Sequence, residues 1–563
     1  MKEETGLIKT DNAIGFWFCA GLLVVLFASI MARDIDRPFY GLHSWAAASG
    51  SWAARAHVKY GLGYTKGMST WAVGDPPTKN PQRYMDHPQL NVLAAAFFMR
   101  ILGVNEASRR ITILIFSVVS LLLFLRILRG LLDDKTTLLA GLILVLFPIS
   151  GYFGFGYFHI VTGLLAIWCY LVLIGAIRNG PEPRPLHKWG LAAGLFLTLQ
   201  FGWNGFFYAF AIGVHYVFRC IFRKQLPDTM LLAIMVMAPL LSLVLNFTIM
   251  AAGYGWDTDK IVELYKWRSA KGEEAVFLWG KWFDKLWEFA KTNFTFPVLI
   301  VAIGYLTLGQ WLILTPNPVR QLAGEENIRK RRFPQFWLFL LVPLSQLLIL
   351  RGALWRHQTW EQPLGPFIAI AAALGLMLLW DILKKVNRRA ACLAVLLFGA
   401  VLAVCCIRGT NYYYGIRWQS PDKIKMLKML NQSIPSDKGI LSLDPSFIVN
   451  QHSSKGAHYR PEIAWYLDRE ITPSGVFGPD GRIMVSESLK DIEEKAKTGR
   501  FSYCLVPEVI PRRAPLAPLI NQLAQQYEYM RVPGHDGESK YGKFYRAWMP
   551  NYWIFDLQSK PSR

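Results

Sequence analysis

Runs of apolar residues long enough to cross a bilayer, separated by loops with clustered lysine and arginine, constrain this chain more than any motif in it. A hydrocarbon core of ~30 Å needs about 20 apolar residues in a helix, and Ala13 to Ala32 supplies them without interruption. This block lacks the small-residue cleavage site of a secretory signal and reads as a retained first helix. Further apolar blocks fall at roughly 111–125, 138–157, 158–177, 190–202, 203–218, 231–252, 297–315, 336–350, 361–382 and 390–407. With 53% of 563 residues hydrophobic and 18% charged, distributed in blocks, the chain reads as a polytopic membrane protein. Its 61 basic residues against 39 acidic ones lie largely in short loops, which favours positive-inside topology and anionic lipid contact over nucleic acid. Cys19, Cys169, Cys220, Cys392, Cys405 and Cys406 fall in or beside apolar blocks and leave Cys504 alone in the polar tail, so neither a disulfide framework nor a metal-binding cysteine spacing is present.

The basic clusters at 178–188, 222–225, 328–332 and 384–389 place those loops in the cytoplasm. Both of the first two are cytoplasmic only if 190–218 crosses twice, turning at Gly202-Trp203-Asn204-Gly205, a turn that Gly and Asn suit. The block at 111–125 must then enter the cytoplasm, so 88–103 is expected to lie at the outer surface or to dip in and return. About eleven spans follow, with the carboxyl terminus outside; a full crossing at 88–103 would make about twelve and break the charge rule.

Between the first two spans lies an outer loop, 33–87, that concentrates acids, histidines and tryptophans and reads as the reaction centre. Asp34 and Asp36 stand where the first apolar block ends, at the lipid–water boundary, where ionised groups are costly without work or partners. Asp86 and His87 precede Pro88 where the chain turns apolar again. A second outer loop, 253–296, carries Phe277, Trp279, Trp282, Phe283, Leu286, Trp287 and Phe289 on one face, the pattern of an interfacial amphipathic helix. Such a helix rests on lipid or gates a lipid-substrate entrance. The division is therefore a membrane domain over 1–407 and an outer domain over 408–563, where short β-like runs alternate with helix-like stretches in a small α/β unit.

The span, the acid-bearing outer loop, the small-residue helix GLHSWAAASGSWAARAHVKYG, the YMDHPQL element and the outer tail together resemble the GT-C superfamily of membrane glycosyltransferases. The match is to the bacterial branch that includes protein O-mannosyltransferases and the lipid A aminoarabinose transferase. It covers the membrane part in layout. Two departures stand out: Gln89 replaces the family's usual second proline, and DID replaces an adjacent acid pair. The resemblance implies an all-α polytopic membrane domain of GT-C type with a C-terminal extracytoplasmic α/β domain, in the cytoplasmic membrane. It implies transfer of a hexosyl or pentosyl group from a polyprenyl-phosphate sugar to a glycan, lipid or protein acceptor of the cell envelope.

Such a transfer needs a base for the acceptor hydroxyl and cations for the departing phosphate. Asp36 is the expected base: it lies farther from the hydrocarbon than Asp34 and four residues before Tyr40, the spacing the family places between its acid and an aromatic. Asp34 is the second candidate, or orients Arg33 or Arg37; a solvated boundary charge is the alternative for each acid. Asp86 and His87 position acceptor or donor, or start the helix at Pro88 as capping residues. In RGALWRHQTWEQPLGPF, Arg351, Arg356 and His357 are the expected lipid-phosphate ligands, as the family's basic or histidine residue there implies; snorkelling beside an aromatic belt is the alternative. Lys59 and Lys66 are weaker candidates. No cofactor and no obligatory metal are expected, because two carboxylates alone do not define a metal site. No nucleophile elbow, phosphate-binding glycine loop or zinc spacing is present. A transporter or flippase of a lipid-linked glycan, and a glycan ligase or polymerase, are the competing functions. In the tail, RPEIAWYLDREI (460–471) sets aromatic residues and Arg469 on or beside a helix, and the domain is expected to cover the cavity and help choose the acceptor, or to be a structural cap.

Overall fold

The computed structural model describes residues 13–79, 81–84, 87–155, 158–177, 181–254, 259, 262, 263, 266, 269, 278–314, 336–354, 357–416, 421–444, 461–479, 482–508, 516–532, 535–537, 547–549 and 551–560. Asp86, Arg356 and most of 255–277 in the second outer loop lie outside them. Helix α1 (Ala13–Ala32) runs into a short turn, and α2 (Ser44–Thr65) follows. A two-stranded hairpin, β1 (Ser69–Trp71) and β2 (Gln82–Tyr84), then leads to α3 (Leu90–Leu102). The membrane part continues through α4 (Glu106–Leu131), α5 (Asp134–Leu146), α6 (Pro148–Phe153), α7 (His159–Leu173), α8 (Pro185–Phe201), α9 (Gly205–Arg223) and α10 (Thr229–Tyr254). After it come α11 (Trp279–Phe294), α12 (Phe296–Gly304), α13 (Trp337–Ile349), α14 (Arg351–Leu354), a 3-10 turn (Gln358–Leu364), α15 (Gly365–Val386) and α16 (Arg388–Gly415).

Among the described residues six helices are long and apolar enough to cross a membrane, and a seventh if the bent pair Trp279–Phe294 and Phe296–Gly309 is counted as one span. Fewer helices pass this test than the eleven apolar crossings expected, because several blocks are broken or short. The block at 138–157 divides at Pro148, and α7 and α13 have 15 and 13 residues. Helix α3 has 13 residues, about 20 Å at 1.5 Å per residue, which is too short to cross. It packs along α2 and against α4 instead. The hairpin of α8 and α9 turns at Gly202–Asn204, and a Cβ on Gly205 would lie 2.6 Å from the Thr198 carbonyl carbon, so only glycine lets α9 start this close. Helix α11 meets α12 at 108°, with Thr295 at φ 66° and Pro297 in the break. Its Trp279, Phe283 and Trp287 are exposed while Trp282 is buried and donates to the Arg351 carbonyl at 3.2 Å. This is the geometry of a helix lying along an interface.

Beyond α16 come α17 (Pro421–Ser433), β3 (Gly439–Ser442), α18 (Pro461–Leu467), β4 (Ile471–Pro473), α19 (Val485–Lys497), β5 (Phe501–Pro507), α20 (Ala517–Gln526), β6 (Glu528–Val532), the short pair β7 (His535–Gly537) and β8 (Ala547–Met549), and β9 (Tyr552–Asp556). One mixed sheet has the order β4-β3-β5-β9-β6, with β3 parallel to β4 and β5, and β9 antiparallel to β5 and β6. Alternation along the strands sends residues to two cores. Leu441, Cys504, Val506 and Phe555 pack with α19 and α20 residues such as Ile492 and Leu519. Ile440, Leu505 and Ile554 face the other way, into a core that includes Ile424 and Leu427 of α17, Ile463 and Trp465 of α18, and Phe39, Ala48, Trp52 and Ala54 of the first outer loop.

The small residues of α2 thus let α18 approach closely, and polar contacts fix the pair. Arg55 donates to the carbonyls of Trp465 (2.6 Å) and Ala464 (2.8 Å) at the end of α18 and pairs with Asp468 at 3.1 Å. Lys59 reaches the same carboxylate at 2.9 Å. Ser44 donates to Glu462 at 3.0 Å, and the Phe39 N–H donates to the Tyr466 hydroxyl at 2.6 Å. Arg469 is buried and spends its guanidinium on backbone carbonyls, among them Pro435 at 2.9 Å and Ile434 at 2.7 Å. The helical part of the 460–471 segment is therefore turned inward against α2 rather than open to an acceptor.

Arg55→Ala should lower stability by roughly 3 kcal/mol, since it leaves the last α18 carbonyls and part of the Asp468 charge without a donor. Chemical denaturation checks this, together with faster proteolysis of the 33–87 loop; Arg55→Lys should recover part of the loss.

Candidate active site

The turn after α1 holds the two early acids. Asp34 has φ 54°, a conformation Asp tolerates better than most residues. Its carbonyl accepts from the Arg37 N–H at 3.0 Å, and the Ile35 carbonyl accepts from Arg110 of α4 at 2.8 Å. Both Asp34 and Asp36 are exposed, and among the described residues the Asp36 carboxylate has no hydrogen bond or ion pair. The turn is rich in cations nonetheless. Arg37 lies over the Tyr40 ring at 4.5 Å and near the Tyr414 ring at 5.7 Å, and its Nη1 donates to the Tyr414 carbonyl at 3.0 Å. Its Nη2 is buried without an acceptor. A Cβ on Gly41 would meet the Tyr152 hydroxyl at 2.5 Å and Arg37 Nη2 at 2.7 Å, so glycine is what lets the guanidinium and the phenol come together there. Arg33 covers the other side of Tyr414 at 4.8 Å. Two exposed carboxylates and a guanidinium whose Nη2 has no acceptor among the described residues thus share one turn, an arrangement suited to holding an anion beside a base.

The segment carrying the expected phosphate ligands meets this turn through His357. Its ring lies 5.3 Å from that of His43, the residue before α2, and 5.9 Å from that of Trp45. Phe153 closes the far side of His43 at 5.8 Å. Burial, and then the neighbouring His357, push His43 down to about 3, so it is a neutral imidazole at ordinary pH. A buried network fixes the segment behind His357. Asn293 of α11 donates to the Glu361 carboxylate at 2.9 Å and to the Gln358 carbonyl at 3.2 Å, and accepts from the Tyr413 hydroxyl. Glu361 is completely enclosed.

The other expected residues part company. Arg351 stands over the Trp279 ring of α11 at 5.3 Å, on the side of the interfacial helix. Arg356 and Asp86 lie outside the described residues. His87 is exposed beside the Tyr84 ring at 5.6 Å, next to the hairpin where Gln89 accepts from Ser69 at 2.6 Å. That is the far end of α2 from His43, separated from it by roughly 25–30 Å of helix. Helix α3 starts with Gln89 at its cap position, whose side chain makes no capping bond to the helix. Lys59 is held by Asp468, while Lys66 is exposed at the end of α2. The site brought together is therefore Asp34, Asp36, Arg37 and Tyr40 in one turn, joined by Arg110, Tyr152 and Tyr414, with His43, Trp45 and His357 beyond it. Among these, His43 and Trp45 carry only a faint sequence signal, an aromatic pair just before a small-residue helix. Tyr152 comes from an apolar block, and Arg110 and Tyr414 stand just outside two others, where nothing marks them. An apolar cleft lies between α7, α9, α13 and the 3-10 turn, lined by Ile160, Leu164, Tyr208, Val342, Pro343 and Gln362.

No family model matches the chain, and no curated protein matches it by sequence. Its structure does have neighbours. ArnT from Cupriavidus metallidurans bound to undecaprenyl phosphate superposes with a TM-score of 0.57 over 97% of this chain and 99% of that one, at 10% sequence identity. The same protein in the apo state gives 0.53 over 97% and 98%, again at 10% identity. The Archaeoglobus fulgidus oligosaccharyltransferase, in complex with Zn and sulfate, gives 0.48 over 86% and 68% at 13% identity. The chain shares the fold of ArnT along almost its whole length.

The neutral His43 gives an acid-side prediction. An unfolded histidine titrates near 6.5 and His43 in the fold near 3, so the unfolded state takes up the proton first and the contribution to stability is whole above about pH 6.5 and declines as pH falls toward 3. His43→Gln should flatten the melting-temperature profile between about pH 6.5 and 4, read by a pH series on the detergent-solubilised protein.

Proposed function

We propose that this protein transfers a sugar from a polyprenyl-phosphate donor to an acceptor at the outer face of the cytoplasmic membrane. The observation that carries the reading is the turn after α1, where Asp36, exposed and with no hydrogen bond or ion pair among the described residues, stands beside Arg37 in a GT-C-like fold. In this mechanism Asp36 removes the proton from the acceptor hydroxyl as its oxygen attacks the anomeric carbon. The bond from that carbon to the phosphate oxygen breaks, and polyprenyl phosphate leaves with the pair of electrons. His357 and Arg356 hold the phosphate, and Arg37 adds a guanidinium next to the acids. The apolar cleft between α7, α9 and α13 has the lining to receive an isoprenoid chain, and Asp34 keeps the turn in shape through its left-handed backbone. ArnT, the neighbour over the full length, is a structure bound to undecaprenyl phosphate, which is the donor class this reading requires.

In the same proposal residues 1–407 are the membrane transferase domain and 408–563 an extracytoplasmic α/β domain that roofs the site. Acceptor choice then rests on faces of that domain other than α18, which α2 covers. His87, at the opposite end of α2, positions the acceptor's distal part, as does Asp86 beside it in sequence. No metal is required, since the leaving group is a monophosphate held by cations.

Asp36→Asn should abolish transfer of labelled sugar from a polyprenyl-phosphate donor while expression and membrane insertion stay near normal, and Asp34→Asn should be milder. Activity above about a tenth of wild type in Asp36→Asn would be incompatible with a base worth about a hundredfold or more. His357→Ala and Arg356→Ala should raise the apparent KM for donor more than for acceptor; equal changes for the two substrates would remove the phosphate-holding role.

A further inference from the structure

One buried cation has no use in the site above. Arg109, in the first turn of α4, is only 8% exposed, and its Nε and Nη1 are buried without a hydrogen-bond acceptor. Among the described residues its one close partner is an aromatic ring, that of Phe158, 5.4 Å from the guanidinium carbon. A ring face satisfies neither the charge nor the donors in full. The next residue behaves differently: Arg110 donates to the Ile35 carbonyl at 2.8 Å. A guanidinium taken from water without an anion is costly, and replacing it by an apolar side chain of similar size would cost the fold less. Its surroundings supply the missing piece. The guanidinium lies against α2 at Gly50, whose Cβ, if present, would be 3.5 Å from Arg109 Nη2. Trp45, Ala46, Ser49 and Gly50, on one side of α2, are not fully buried. His357 packs against Trp45 at one end of this stripe.

We infer that Arg109, the small-residue stripe of α2 and the Phe158 ring form an oxyanion-binding site, which takes a phosphate group. The ring holds one face of the guanidinium, Gly50 places no side chain against Nη2, and the unmade Nε and Nη1 donors are left to hydrogen-bond phosphate oxygens. The phosphate comes from a polyprenyl monophosphate or from a soluble phosphate. The first source rests on the proposed transferase reading; the site itself does not.

The test is binding to the detergent-solubilised full chain, with polyprenyl monophosphate, inorganic phosphate and neutral polyprenol as the probes. Wild type is compared with Arg109→Gln, Arg109→Lys and Arg109→Met. The expected result is a weakening of phosphate binding by tenfold or more in Arg109→Gln and Arg109→Met, partial retention in Arg109→Lys, and no change for polyprenol. Arg109→Met should melt no lower than wild type without ligand, which shows that the variant folds and that the charge serves no internal partner. A response confined to polyprenyl monophosphate identifies the lipid as the source; an equal response to inorganic phosphate identifies a soluble one, and would count against the lipid donor while leaving the site intact. Equal affinity of wild type and Arg109→Gln for both phosphates, or binding of neither by wild type, overturns the inference. In the first of those cases the transferase reading stands if polyprenyl monophosphate still binds.

Discussion

The join between α2 and α18 is the interaction on which the rest of this architecture depends. Arg55 closes the end of α18 with two backbone hydrogen bonds and pairs with Asp468, and Trp52 and Ala54 share a core with Trp465 and Ile554. Burial of large apolar side chains contributes about 1.5–3 kcal/mol each, and Arg55 adds direction to that adhesion. Because α2 starts at Ser44, immediately after the turn that holds Asp34, Asp36 and Arg37, its attachment to the outer sheet also fixes the acids. The α/β region after α16 is thus part of the scaffold that holds this turn and not an appendage to a self-sufficient helical bundle.

A second restraint comes from the other side. Asn293, Glu361 and Tyr413 tie the interfacial helix, the 3-10 turn and the last long helix into one polar knot enclosed by apolar packing. An enclosed network of this kind specifies a single arrangement because its polar groups have few alternatives. The knot sets the loop that ends in His357, and His357 in turn meets His43. The turn after α1 is therefore held from above by the sheet domain and from the side by the interfacial helix.

Much of the architecture is legible in the sequence because the forces that write it are local. Apolar length marks the spans, and the alternation of Trp and Phe with Lys and Glu marks α11. The pairing of Gly202 and Gly205 marks a tight helical hairpin. The short β-like runs GILS and FSYCLVP reappear as adjacent parallel strands β3 and β5. Counting crossings is harder, since Pro148 splits one block and α7 and α13 are shorter than their apolar runs implied. The site is legible only where it is contiguous. Asp34, Asp36, Arg37 and Tyr40 lie within one turn, whereas Tyr152, Tyr414 and Arg110 reach it from three other elements, and a pairing across 377 positions such as Arg37 with Tyr414 leaves no trace in local pattern. For the same reason the YMDHPQL element, so near the acids in sequence logic, stands at the far end of α2: a 22-residue helix intervenes.

The central claim is that a lipid phosphate is delivered to the turn after α1. The measurement that tests it most directly is a cryo-EM map of the full chain in lipid nanodiscs with polyprenyl monophosphate added. The account predicts phosphate density on the outer side, bounded by the Asp34–Tyr40 turn, His357 and the accessible stripe of α2, with the isoprenoid chain entering the apolar cleft. Phosphate density at the opposite membrane face, or beside His87 at the other end of α2, would contradict it.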